Sequence, residues 1–260
     1  MQKRIFVLVI MVLSLILAFS GYKIYSYKQD SIKQQEINNK LINRVENNAI
    51  KEEKSEQPTY INGILEQYHD LYQENNDLVG WIKIEDTMLN YPIMQNEYDS
   101  EYYLRRDFNK DYSIYGTPFL QSGCNIGENE SKNLIIYGHN MDDGAGFHTM
   151  EYYKDESYYK EHPIIKLDTL SEEREYEIVA VFKTTVYSDK GFKYYKYDDF
   201  SSEEHFNEYK QEVKKLALYD TGVDFSYEDN LITLSTCEYS NKNGRLVIVA
   251  KLINENKEAF

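Results

Sequence analysis

Cysteine is nearly missing from this chain: its 260 residues hold only two, Cys124 and Cys237. One widely spaced pair is not a disulfide framework, and no CxxC or Cys/His spacing marks a metal site. A single structural disulfide stays open for a protein outside the cell. Proline (4) and glycine (12) are also scarce, which excludes collagen-like and low-complexity architectures. There is one tryptophan against 26 tyrosines. Tyrosine suits half-buried strands and the walls of peptide grooves, because an apolar ring carries a polar tip. The abundance of Lys, Asn, Ile and Glu makes a general compositional bias the plainer reading. Positive charge is in deficit, with 29 Lys/Arg against 44 Asp/Glu. Residues 1–60 run the other way, with 9 against 6, so the remainder is strongly acidic. Such a body repels nucleic-acid phosphates and anionic lipid, which argues against a nucleic-acid partner. Amine-bearing partners are attracted instead, over a range limited by salt screening.

The one long hydrophobic run lies at the amino terminus. Lys3 and Arg4 precede an uncharged apolar segment over residues 5–19, extended by Ser20, Gly21 and Tyr22. Roughly 17–20 helical residues cross a bilayer core. The leading positive charges predict that residues 1–4 stay cytoplasmic and the rest is exported. The competing reading is a cleaved signal peptide, with Ala18-Phe19-Ser20 as a small-x-small site. Run length and the poor final Ser favour an uncleaved anchor over residues 5–22. Either way the body lies outside the cytoplasm. Residues 23–59 are polar and read as a helical or partly disordered stalk, with Leu41, Ile42 and Val45 as a thin stripe. Residues 60–260 read as one folded unit, the body of the protein.

Within that unit, Ile61, Ile64, Leu65, Tyr68, Leu71 and Tyr72 recur at 3/4 spacing, which predicts an amphipathic helix over residues 60–75. Short apolar segments then predict strands over 79–84, 89–94, 117–120, 133–137, 164–167, 175–185, 231–236 and 245–252. Eight or so strands with short helical interruptions point to a closed or nearly closed β-barrel with added helices. Ser201-Ser202-Glu203-Glu204 is a capping signal for an inserted helix with Phe206, Tyr209, Val213 and Leu216 on its apolar face.

Strand alternation puts Leu231, Thr233, Ser235 and Cys237 on one face. Asn243-Gly244 signals a turn, and a hairpin centred near Asn241 brings Cys237 opposite Arg245. A guanidinium beside a thiol favours the thiolate, or stabilises an oxyanion formed next to the sulfur. A cysteine at a strand end is, however, more often a small buried hydrophobe. A third element is the strand 133–137, which ends in Gly138-His139-Asn140. It sets an imidazole at a loop mouth, where it can protonate a leaving amine and later deprotonate an incoming one. His69, His162 and His205 lack such a setting, and His148 is the one rival. Asp142-Asp143 and Asp198-Asp199 lack EF-hand spacing and read as solvated loops. No metal or cofactor is expected.

The strings Tyr137-Gly138-His139-Asn140, Thr233-Leu234-Ser235-Thr236-Cys237 and Gly244-Arg245-Leu246-Val247, in that order, resemble the signature motifs of sortases over roughly residues 60–253. The Leu-Ser-Thr-Cys-Glu-Tyr string, the helix before the barrel and the insertion before the cysteine strand are most similar to class B. No second apolar run follows residue 253, which weakens a pilin-linking reading. The resemblance implies a closed eight-stranded sortase-type β-barrel with an N-terminal helix and a helical insertion before the cysteine strand. It implies a cell-surface transpeptidase that cleaves a sorting motif at its Thr through a Cys237 thioacyl intermediate, with His139 as acid/base and Arg245 holding backbone or oxyanion. It also implies that Ser235 and Glu238 flank the nucleophile, that Tyr137 shapes the pocket, and that Tyr194 and Tyr195 line the groove. Packing of the inserted helix is an equally good reading of those last two. The partners implied are surface proteins with an Asn-Pro-Gln-Thr-Asn-like or Ser/Pro-led Thr-Gly pentapeptide, and a peptidoglycan precursor amine, either a glycine bridge or diaminopimelate. A secreted cysteine peptidase using water remains the alternative.

Overall fold

The computed structural model describes residues 2–52, 58–127, 129–187 and 191–257. Its centre is a closed barrel of eight strands, and each expected strand has its counterpart in it. In chain order these are β3 (Leu78–Lys83), β4 (Asn90–Met94), β5 (Phe119–Leu120), β6 (Asn133–Tyr137), β7 (Ile164–Thr169), β8 (Glu172–Thr185), β9 (Leu231–Glu238) and β10 (Gly244–Lys257). Around the barrel they run β10-β8-β7-β3-β4-β5-β6-β9. Closure leaves no free sheet edge in the barrel. Strands β6 and β9 are parallel neighbours, Asn133 beside Leu231 through Tyr137 beside Ser235. That pairing needs a long crossover, and the chain between them supplies β7, β8 and α4 (Glu203–Leu216). Ile165, Leu167, Tyr176, Ile178, Leu246 and Ile248 are fully buried in the core.

β6 and β9 are buried on both faces, because the barrel fills one side and the insertion covers the other. The Ser202 hydroxyl caps α4 by accepting from the His205 N–H, satisfying a donor that the first turn leaves open. Phe206, Tyr209 and Val213 then bury the apolar face. Helical turns are more numerous than expected. Tyr102–Arg105, Phe147–Lys154 and Tyr194–Lys196 are 3-10 segments, and α3 (Glu156–Glu161) precedes β7.

The expected helix over 60–75 is corrected at its start. Tyr60–Ile61 and Ile64–Leu65 form the hairpin β1–β2, and α2 covers only Glu66–Glu74. The reason is the dipeptide Asn62-Gly63, whose φ values of 53° and 77° are both left-handed. A two-residue hairpin turn of this kind requires two such residues, and Asn-Gly accepts them at least cost. The rest of the stripe packs as a helix face: Tyr68 and Leu71 are buried, as is Leu65 of β2, with Tyr68 stacked on Trp81 at 6.1 Å.

Upstream, α1 is one helix, Gln2–Glu52. Its apolar part is exposed throughout and is long and apolar enough to cross a membrane by length and composition. Its polar part lies on the body. Leu41 and Val45 are buried, and Arg44 forms a two-pronged ion pair with Glu74, each contact 2.8 Å. Asn38 donates to the Asn90 carbonyl, Gln34 accepts from Ser113, and Ser31 donates to Asp143. From Ser31 to Val45, then, the polar stretch is a docked helix. Burying its two aliphatic side chains is worth about 2 kcal/mol each. Replacing Val45 with Asp sets a charge against α2, and amides of residues 37–45 should lose hydrogen-exchange protection while β9 and β10 keep theirs. Unchanged protection of residues 37–45 would show that α1 is held some other way.

Candidate active site

In the antiparallel β9–β10 pair Cys237 stands directly opposite Arg245, as the alternation implied. Both are half-buried. One strand over, Tyr137 on β6 lies beside Ser235. The Ser235 hydroxyl is buried and bonded to the Tyr194 hydroxyl at 2.6 Å. These groups share one open cleft of about 600 Å³, whose walls include Cys237, Arg245, His139, Tyr137, Tyr194 and Tyr195. The Tyr194 ring is buried against Phe182 of β8, and its tip reaches the cleft.

Glu238 does not line this cleft. It follows Cys237 on the strand, so its side chain leaves by the other face. There it is 4% exposed and held by Lys154 at 2.9 Å, Lys183 at 3.5 Å and the Ser240 hydroxyl. Although burial opposes ionisation, the Ser240 and Lys154 hydrogen bonds hold its carboxyl down at about 2. Glu238 is therefore a charged clamp under the β9–β10 turn.

His139 follows β6 after Gly138, and this glycine is required by packing. A Cβ there would sit 2.5 Å from the Phe147 ring. The loop beyond closes by a bond from the Phe147 N–H to the His139 carbonyl at 2.7 Å. Imidazole Nε2 lies 2.8 Å from the Leu104 carbonyl. A carbonyl only accepts, so Nε2 carries the hydrogen and Nδ1 is left to exchange protons. Burial lowers the imidazole below its ordinary 6.5, the Arg105 charge adds to this, and the Leu104 bond opposes it. The neutral ring therefore predominates at neutral pH. His148 is outside the cleft: its Nδ1 lies 2.8 Å from the Asn140 side-chain oxygen.

A family model described as the sortase domain matches residues 82–253. The chain belongs to the sortase family. It is 31% identical to sortase B of Staphylococcus aureus over 97% of this chain and 98% of that protein. It is 37% identical to sortase B of Listeria monocytogenes over 76% and 78% of the two chains. Among solved structures, a Staphylococcus aureus sortase B–substrate complex matches with a TM-score of 0.75 and 29% identity, covering 86% of this chain and 98% of that one. The chain is thus a cysteine transpeptidase of the sortase family, similar to class B, on the barrel that the resemblance implied.

Several residues that build the site of this sortase escaped the sequence reading. Asn140 is a strut. Its amide donates to the Cys237 carbonyl and to Glu151, both at 3.0 Å, and its oxygen faces His148. It thereby ties the histidine loop to the cysteine strand. Gln121 accepts from the Tyr137 hydroxyl at 2.6 Å and donates to the Tyr195 carbonyl at 3.1 Å, fixing one wall. Tyr239 latches the β9–β10 turn to the Asn140 carbonyl at 3.0 Å. Asn140 adjoins His139 in the quoted motif and carried that much signal. The Leu104 carbonyl is backbone and carried none. Among the described residues no group of three His, Cys, Asp or Glu side chains gathers to hold a metal. Followed by NMR, the His139 ring should titrate below 6.5, and a midpoint at or above that value would contradict the neutral, Leu104-bound tautomer.

Proposed function

We propose that this sortase acts at the cell surface, cleaving a C-terminal sorting motif at its Thr and joining the new carboxyl end to a peptidoglycan amine. The observation that carries this reading is the meeting of Cys237, Arg245 and His139 in one open cleft, from three different strands or strand ends. The cleft is large enough for an extended peptide and aromatic on one wall, as peptide sites are. The matched Staphylococcus aureus structure is a complex of sortase B with substrate, which supports the same use of the cleft here.

In this mechanism the Cys237 sulfur attacks the Thr carbonyl carbon, and its proton passes to Nδ1 of His139. Arg245 holds the peptide backbone or the developing oxyanion with a charge that cannot be lost. His139 then protonates the departing amide nitrogen, leaving a thioester on Cys237. An amine attacks that thioester, the C–N bond forms, the C–S bond breaks, and the thiol is regenerated. Ser235, Tyr137, Tyr194 and Tyr195 shape the peptide's binding wall. The motif is Asn-Pro-Gln-Thr-Asn-like or a Ser/Pro-led variant ending in Thr-Gly. The apolar residues 5–22 anchor the chain in the cell membrane, with residues 1–4 inside and the catalytic domain outside.

Water in place of the amine would make the chain a cysteine peptidase. Incubating it with a fluorogenic sorting peptide, with and without an amine, separates the two: the amide product should form and compete with hydrolysis. A product that never contains the amine refutes transpeptidation. Arg245→Lys should lower kcat/KM by roughly 10²–10³, the cost of losing one well-placed oxyanion donor. Its melting temperature should barely move, since among the described residues the guanidinium's one hydrogen bond runs to the adjacent Gly244 carbonyl.

A further inference from the structure

His139 borders a second cleft. It encloses about 640 Å³, and its walls include His139, Asp142, Arg105, Tyr239 and Tyr27 of α1. Among the described residues, His139 alone lines both clefts. The walls are fastened to one another. The hydroxyls of Ser31, on α1, and of Tyr115 both donate to one oxygen of Asp143 at 2.6 Å, and the Tyr27 and Tyr115 rings lie 6.3 Å apart. Tyr239 is held by the Asn140 carbonyl at 3.0 Å. The polar part of α1 is therefore a built wall of this cleft.

Its charges are of both signs. Asp143 is committed to two hydroxyls, but Asp142 next to it is exposed and has neither a salt bridge nor a hydrogen bond to the described residues. Arg105 places one guanidinium nitrogen on the Ile114 carbonyl at 2.9 Å and forms no ion pair among the described residues. The Tyr27 hydroxyl lies within the field of both, raised in pKa mainly by burial and by Asp143 and Asp142, and lowered by Arg105. A ligand matching this cleft carries a cation and an anion close together.

We propose that this second cleft is the acceptor site, and that it takes an amine borne on the same carbon as a carboxylate, as at the end of a diaminopimelate side chain. The inference rests on the transpeptidase reading above. Once the acyl peptide fills the first cleft as a thioester, an amine has to arrive from a free side that also adjoins the proton acceptor. The second cleft meets both conditions through His139. The carboxylate pairs with Arg105, and Asp142 draws in the ammonium, which sheds one proton to solvent. Its nitrogen attacks the thioester carbon and the C–S bond breaks. The second amine proton passes to Nδ1 of His139 and on to the Cys237 sulfur. The terminal amine of a glycine bridge has no carboxylate on its carbon and leaves Arg105 unmatched. With residues 5–22 in the bilayer, Tyr27 lies about 8 Å further along the helix, so the acceptor is met close to the membrane surface.

The test uses the full chain in detergent micelles with a sorting peptide and three acceptors: diaminopimelate, Nα-acetyl-lysine amide and triglycine. Diaminopimelate should show a KM at least tenfold below the other two. Asp142→Asn and Arg105→Gln should each raise that KM and shift product from amide to acid, and Tyr27→Ala should raise it as well. Equal KM values for the three acceptors, a preference for triglycine, or a diaminopimelate KM that Asp142→Asn leaves unchanged would overturn the proposal. Asp142 is exposed and unbonded, so that variant keeps the fold and the test stands even if Arg105→Gln does not fold. Release of the peptide's C-terminal fragment without any acceptor reports on the underlying reading separately. Its absence strikes at the transpeptidase assignment and not at the acceptor site.

Discussion

The register of β9 between its two neighbours is the constraint on which the site depends. On one side the antiparallel pair sets Cys237 against Arg245, and on the other the parallel pair sets Ser235 against Tyr137. A slip of one residue would turn the cysteine away from the cleft and bring Glu238 into it. The barrel prevents this because β9 is buried at every position except Cys237 and closes the sheet between β6 and β10. Side-chain contacts reinforce the register at the open end. Asn140 holds the Cys237 carbonyl, Thr236 donates to the Gly138 carbonyl at 2.7 Å, and Glu238 is clamped from behind by two lysines.

Around that strand, burial does two kinds of chemical work. It neutralises His139, so that the ring can accept a proton at neutral pH, while the Leu104 carbonyl commits the other nitrogen. It also separates the two cysteines by function. Cys124 is packed in the core, 3.5 Å from the Asn133 carbonyl, and burial pushes its thiol up to about 12. A thiol in that state is inert at physiological pH. Cys237 lies half-exposed in the cleft beside a permanent cation.

Much of this was legible in the residues. Short apolar segments bounded by turn residues yielded all eight barrel strands, including β6 and β9, which are buried on both faces and so read as near-continuous apolar runs. The opposition of Cys237 and Arg245 followed from parity and turn chemistry alone. Glu238, which the family resemblance placed beside the nucleophile in the groove, continues β9 past Cys237, and the same alternation turns its side chain to the far face. The Asn62-Gly63 hairpin was also readable, but the 3/4 stripe running through it drew the helix start too early. Other features carried no local signal. The docking of α1, the Leu104 carbonyl behind His139 and the meeting of Tyr27 with Arg105 are contacts between distant segments, which only the closed tertiary structure brings together.

The central claim is that Cys237 is the nucleophile of a covalent acyl transfer. Intact-mass and peptide-mapping mass spectrometry on the full chain, quenched in acid after brief exposure to a sorting peptide without amine, tests it most directly. The account predicts a mass increase equal to the peptide up to its Thr, mapped to Cys237 and absent in Cys237→Ala. Turnover of the peptide with no adduct on Cys237, or with activity retained in Cys237→Ala, would contradict it.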